Sequence, residues 1–239
     1  MRRDHFPCWN RVMTKASTKF FCKERQRGFT VLELILVMLV SIILTAVAAP
    51  KFLTIRNALR ASGDIRNIAD LTGQAKLRAA SNFTHSRVYV DLSGNTFQLQ
   101  VWYKPGNSGS GCWVLDTDPT NTCLTYSGSA PSGVTINLSQ GDTFGYGALT
   151  SGPTAGQQPS ISQAAKCLDN SGSAINNTAC IVFNSRGVPI DGTTFSPIAT
   201  GAFYLTNGTV VNGVTVSATG SIQTWSASAN ASQSSWSAL

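Results

Sequence analysis

Charged side chains make up only 12% of the 239 residues, about half of the ~25% usual in a globular chain. Histidine is scarcer still, with His5 and His85 alone. These shortages exclude a highly charged disordered protein and a coiled coil, both of which need dense charge. The sequence contains no Gly-x-Ser-x-Gly elbow, no Walker loop and no dinucleotide fingerprint. Its carboxylates are scattered and His85 has no obvious partner, so neither an enzyme nor a bound cofactor is expected. Cys-x-x-Cys pairs are missing too, which leaves zinc without its usual ligand spacing. Only one long apolar run occurs, and that excludes a multi-span membrane protein.

What charge there is lies unevenly. The net charge is +7, a balance that taken alone suggests a nucleic-acid binder. Residues 1–28, however, hold 8 basic and 2 acidic side chains, against 10 and 9 in the rest. Residues 88–239 carry 3 basic and 6 acidic side chains and are rich in Gly, Ser, Thr and Asn. Such a stretch dissolves through hydroxyls and amides, and its apolar content is enough for a folded core.

The apolar run covers residues 29–50, with Glu33 its only formal charge. About 20 apolar residues suffice to span a bilayer as a helix. Arg2, Arg3, Arg11, Lys15, Lys19, Lys23, Arg25 and Arg27 precede it, so the N-terminus is expected in the cytoplasm and the larger C-terminal part outside. A plain anchor and a cleaved signal peptide (Ala46-Val47-Ala48 has the small-x-small pattern) are alternatives. Neither explains Glu33. A carboxylate at that depth costs roughly 2.5–3.5 kcal/mol on insertion scales and normally has a partner. An amino terminus freed just before Phe29 would supply a cation.

Gln26-Arg27-Gly28-Phe29-Thr30-Val31-Leu32-Glu33, followed by the apolar helix, resembles the class III leader of type IV pilins and type II secretion pseudopilins. The resemblance implies that a prepilin peptidase cuts between Gly28 and Phe29 and N-methylates Phe29, and that Glu33 acts in assembly. In the C-terminal third, Cys180-Ile-Val-Phe-Asn-Ser-Arg-Gly187, Gly201-Ala-Phe-Tyr-Leu and Gly213 through Gly220 to Trp225 resemble the GspH/FimT pseudopilin domain, with Gly187 and Gly220 at its turns. The likeness covers 26–103 and 180–225, leaving out the loop-rich 104–179. It implies a pilin-like α+β fold with a leader (1–28), a long helix (29–83) whose half 29–50 crosses the inner membrane, and an extracytoplasmic β-rich domain (84–239). Implied partners are other pilin subunits, the prepilin peptidase, an inner-membrane platform protein, a cytoplasmic assembly ATPase and inner-membrane lipid. Type II secretion and the type IV pilus both remain open, with Pro50 leaning slightly to the pilus side. DNA-binding members of the FimT type carry arginines after the last glycine. Ser221-Ile222-Gln223-Thr224 stand there instead, so DNA is not expected as a partner.

Beyond Pro50 the helical period continues through Ile65, Ile68, Ala69, Thr72, Ala75 and Ala79, one stripe suited to lie against a folded body. Pro50 is expected to kink or loosen the helix, and Gly63 and Gly73 to weaken it. The cations of 51–87 suggest either a DNA-facing stripe or lipid headgroup contacts by Lys51 and Arg56, with Arg60 pairing Asp64 and Arg66 pairing Asp70 at i, i+4. From residue 86 the period becomes 2. Val88, Val90 and Leu92, then Ser93-Gly94-Asn95, then Phe97, Leu99 and Val101 predict a hairpin. Further strands are expected at 112–115, 134–138, 180–184, 202–206, 214–218 and 221–225. Residues 226–239 are expected to be a frayed tail or an edge for a partner.

Cys8 and Cys22 leave with the leader, whereas Cys112, Cys123, Cys167 and Cys180 would be exported, where disulfides persist. Of three connectivities, Cys112–Cys123 and Cys167–Cys180 are favoured because they close short loops. Asp116-Thr117-Asp118-Pro119-Thr120-Asn121 offers alternating oxygens that suit either a weak calcium site at Asp116 and Asp118 or a polar turn. Trp102, Tyr103, Trp113 and Trp225 allow a rival function, an anchored carbohydrate- or surface-binding module, or are simply packing.

Overall fold

A helix, α1, spans Val31–Ser81, and among the described residues all further regular structure beyond single-turn pieces is β. The computed structural model describes residues 30–126, 135–156, 158, 160–230 and 235–239. The Gly28/Phe29 cleavage site, Cys8, Cys22 and the first residue of the strand expected at 134–138 lie outside them. The chain divides into two units, residues 1–47 and 48–239.

In the first unit, Thr30 caps α1: its hydroxyl oxygen accepts the Glu33 N–H at 3.2 Å and its carbonyl the Leu34 N–H at 3.2 Å. Thr30-x-x-Glu33 is thus a capping-box sequence. Ser41 Oγ donates to Met38 O at 2.8 Å and Thr45 Oγ1 to Ser41 O at 2.7 Å, so these hydroxyls are satisfied within the helix itself. Val31–Ala49 is a 19-residue stretch of mean hydropathy 2.8, none of it buried. It is the one helix among the described residues long and apolar enough to cross a membrane.

In the second unit, α1 continues through Pro50, Gly63 and Gly73 to Ser81 and contributes Ala61, Ile65, Ile68, Leu71, Ala75 and Ala79 to the core. Thr72, on the same stripe, is buried with its hydroxyl donating to Ile68 O at 2.7 Å. The strands are β1 (Ser86–Asp91), β2 (Thr96–Tyr103), β3 (Cys112–Leu115), β4 (Ile136–Asn137), β5 (Thr143–Phe144), β6 (Thr178–Phe183), β7 (Pro189–Ile190), β8 (Thr200–Thr206), β9 (Val210–Ser217), β10 (Ile222–Ser228) and β11 (Ser237–Ala238). One sheet has the order β3-β2-β1-β6-β7, with β4 also on β2, and the other β11-β10-β9-β8-β5. Every pairing is antiparallel. The fold is therefore α+β, an apolar N-terminal helix and a C-terminal antiparallel sheet domain.

Both sheets turn one face to α1. Val88 and Val90 of β1, Phe97 and Leu99 of β2, Ile181 and Phe183 of β6, Phe203 and Leu205 of β8, and Val214 and Val216 of β9 share its core. Fully burying each such side chain contributes about 1.5–3 kcal/mol. The predicted hairpin is formed, with Val88 opposite Leu99 and Val90 opposite Phe97. The two-residue strands β5 and β7 were not expected, and neither was β11. The C-terminal tail folds back instead of fraying: Ser237 and Ala238 pair with Ser226 and Trp225 of β10, and the Trp236 indole donates to Ser151 O at 3.0 Å.

Between the edges of β6 and β8 runs a strap, residues 163–167. Ala164 N donates to Ala202 O at 2.7 Å, and Cys180 N to Ala165 O at 2.8 Å. The Gln163 amide grips Tyr204 twice, accepting its N–H at 2.9 Å and donating to its carbonyl at 2.8 Å. The strap thus stitches the two sheets together.

Polar groups fasten α1 to the loops, and here the sequence expectation is corrected. Asp64 does not pair with Arg60, nor Asp70 with Arg66; the ion pair among the described residues is Arg78 with Asp116, at 2.9 Å. Asp64 lies one turn from the buried Ile68, so its carboxylate points inward and accepts the Ser139 N–H at 2.6 Å and hydroxyl at 3.0 Å. Asp142 sits beside it. Its Oδ2 is buried with no donor in reach among the described residues, but a proton on Asp142 bonds it to Asp64. Burial first, and then this hydrogen bond and the Asp64 charge, push Asp142 from 3.8 up to about 7, with Arg60 opposing weakly. Further along, Lys76 Nζ donates to Gly220 O at 2.9 Å. Gly187 and Gly220 have φ of +73° and +74°, and a Cβ on Gly220 would stand 2.5 Å from Gly187 O.

Gly220→Ala combines that clash with a left-handed backbone, and is expected to destabilise the domain by about 2 kcal/mol or more in urea titration. For Asp142 the sign follows from linkage. The folded state keeps a proton that the unfolded chain releases between 3.8 and about 7, so stability falls as pH rises through that window and levels off above it. Asp142→Asn should therefore raise the melting temperature most at about pH 8 and progressively less as the pH is lowered through about 5 towards about 4; an effect independent of pH would show that the folded and unfolded states bind this proton equally.

Candidate functional site

On the face of the first sheet that turns away from α1, the side chains are of a different kind. Arg87 and Tyr89 of β1, Trp113 and Leu115 of β3, and Cys180 and Val182 of β6 are covered by Leu124, Tyr126, Cys167 and Ile175 from the loops. The segments around Leu124–Tyr126 and Cys167–Ile175 thus cover a second core. Both favoured disulfides are formed: Cys167–Cys180 ties the strap to β6 within this layer, and Cys112–Cys123 ties β3 to its following loop in a separate cluster with Val101 and Val114. Each contributes roughly 2–4 kcal/mol.

Arg87 is the centre of this layer and is 1% exposed. Its Nε donates to Gln100 Oε1 at 2.7 Å, Nη1 to Leu168 O at 2.6 Å and Nη2 to the Tyr126 hydroxyl at 2.7 Å. The guanidinium lies 3.9 Å from the centre of the Trp113 ring and 5.6 Å from those of Tyr89 and Tyr126. No carboxylate pairs with it among the described residues. Burial therefore pulls Arg87 down to about 10, while burial raises Tyr126, and raises Tyr89 to about 12. A cation held by neutral acceptors and aromatic faces keeps its charge through polarisation and cation–π attraction.

Beside Arg87 opens a cavity of about 670 Å³ between this layer and the strap, lined among others by His85, Trp102, Trp113, Lys166, Asp191 and Phe195. Trp102 and Trp113 meet edge to face, with centroids 5.1 Å apart. His85 and Phe195 stack at 5.3 Å. Burial, then Lys104, lowers His85 below the ordinary imidazole value. Two carboxylates of the lining remain charged because their own turns solvate them. Asp191 accepts the N–H groups of Thr194 and Thr193 at 2.8 Å each, and Asp169 the Ser171 hydroxyl at 2.7 Å together with the Ser171 and Ser173 N–H groups, which lowers both. His85 has no carboxylate hydrogen-bonded to it among the described residues, and no nucleophile stands against it. The arrangement is suited to binding.

Of the other sequence candidates, Glu33 is exposed in the first turn of α1, while Gly28 and Phe29 lie outside the described residues. Asp116 and Asp118 do not converge. Asp116 holds Arg78, and Asp118 caps its own turn, accepting the Thr120 hydroxyl at 2.6 Å and the Thr120 and Thr122 N–H groups at 2.9 Å, which lowers it to about 2. The polar-turn alternative describes this segment. Of the four aromatics, the fold brings Trp102 and Trp113 together, whereas Tyr103 packs with Val101 and Cys112, and Trp225 donates to Thr215 Oγ1 at 2.9 Å inside the other sheet. Arg87, Lys166, Asp191 and Phe195 were missed. The signal for Arg87 was legible, since it shares a strand face with Tyr89; Phe195 gave none.

Comparison of the chain with protein-family models, with curated proteins and with solved structures returns no match.

Arg87→Ala leaves three acceptors buried and removes the support of Trp113. A loss of about 3 kcal/mol is expected from the urea midpoint; an unchanged midpoint would mean the guanidinium is not what holds the loop layer.

Proposed function

We propose that this protein is a minor pilin or pseudopilin, a structural subunit of a type II secretion pseudopilus or type IV pilus held in the inner membrane until it is drawn into a filament. The supporting observation is the unburied apolar stretch Val31–Ala49 with a single carboxylate, Glu33, in its first turn. Such a helix needs an apolar surrounding, which lipid supplies before assembly and neighbouring helices after it. The leader-like Gly28-Phe29 junction would give a mature chain beginning at Phe29, with its N-methylated amine as the charge for Glu33 of an adjacent subunit to neutralise. Glu33 also stands in the first turn of α1, where the helix dipole favours a negative charge. The β-rich domain would then face outward, and the prepilin peptidase, the platform protein and the assembly ATPase would act on the membrane side.

N-terminal sequencing and mass measurement of the membrane-extracted protein should find a chain starting at methylated Phe29. Glu33→Ala should be processed normally yet enter filaments poorly, as read in the sheared filament fraction. A start at any other residue, or full incorporation of the variant, overturns this assignment.

A further inference from the structure

Phe195 is 60% exposed and has φ of +56°. A bulky side chain in the left-handed region is a genuine conformational outlier. The loop enforces it: Phe195 N donates to Asp191 O at 2.9 Å, Asp191 N to Ser196 O at 2.9 Å, and the Asp191 carboxylate collects Thr193 and Thr194. Burial does not offset that strain, because the ring packs on His85 and is otherwise open. Strain that the surroundings over-determine, at a side chain the core does not use, belongs to ligand clamps. Phe195 also lines the 670 Å³ cavity, whose size falls in the ~300–1,000 Å³ range of small-molecule sites.

The chemistry of the lining narrows the ligand. Trp102, Trp113 and Phe195 give aromatic surface, while Ser160, Ser162 and Lys166 add polar groups. Arg87 and Lys166 are matched by Asp169 and Asp191, so neither an anion nor a cation is favoured overall. A purely apolar ligand would desolvate these charges without replacing their hydrogen bonds. A neutral pyranose has an apolar C–H face for an aromatic ring, and hydroxyls that both donate to carboxylates and accept from ammonium groups. We propose that the cavity is a saccharide-binding site, with a sugar ring packed on Phe195 and its hydroxyls held by Lys166 and Asp191. The site lies wholly within residues 85–202 and does not depend on how the N-terminal helix is used.

The test uses the full chain in a detergent without a sugar headgroup, followed by tryptophan fluorescence and calorimetry. The probes are cellobiose, chitobiose, sodium glucuronate and a Phe-Leu dipeptide amide. Saturable binding of a neutral disaccharide, at micromolar to millimolar concentration, is expected. Phe195→Gly removes the strained conformation along with the ring, so its melting temperature should be equal or higher while affinity falls at least about tenfold. Ser162→Trp, at an exposed position of the lining, should block binding with the fold intact. No saccharide binding up to about 10 mM, binding of only the glucuronate or the dipeptide, or undiminished affinity in Phe195→Gly would each overturn the proposal.

Discussion

The packing of one helical stripe against two sheets is the constraint on which the rest of the domain depends. Ala61, Ile65, Ile68, Leu71, Ala75 and Ala79 of α1 meet inward side chains of β1, β2, β6, β8 and β9. The alanines let the backbone come close to the sheets, and the larger residues fill the spaces between them. Without that shared surface, neither sheet has a partner for its inner face. Its position is then locked by directional bonds: Asp64 to Ser139 near one part of the stripe, and Lys76 to the Gly220 turn near another. The hydrophobic stripe supplies stability, and the polar bonds fix register.

Much of that core was legible because it rests on periodicity. The 3.6-residue stripe and the alternation around Ser93-Gly94-Asn95 each impose a face, and a slip of one residue would turn every side chain the wrong way. The same logic misled at Asp64. Spacing alone offers Arg60 as a partner four residues away, yet a carboxylate on the buried side of a helix bonds whatever the core brings to it. The two-residue strands β5 and β7 are too short to carry any alternation, and β11 is recognisable only once β10 offers it an edge.

The cavity was hidden for a different reason. Its walls come from β1, β2, β3, the strap and the loop after β7, joined by side-chain bonds such as those of Gln163 to Tyr204 and Arg87 to Leu168. No window of sequence contains that arrangement. The cysteine pairs, by contrast, could be read from loop length alone, and they mark the segments that had to be tied down. Arg87 belongs between these cases: its place in an alternating strand could be read, but the aromatic stack that tolerates a buried guanidinium could not.

Each disulfide joins a sheet strand to a loop segment, Cys112 of β3 to Cys123 and Cys180 of β6 to Cys167, and no cysteine belongs to the cluster around α1. The packing of the sheets on α1 thus involves no sulfur, and the two bridges tie loop segments to strands that this packing holds. Reducing surroundings would therefore loosen the tethered loops first, while the contacts between helix and sheets would keep their own apolar support.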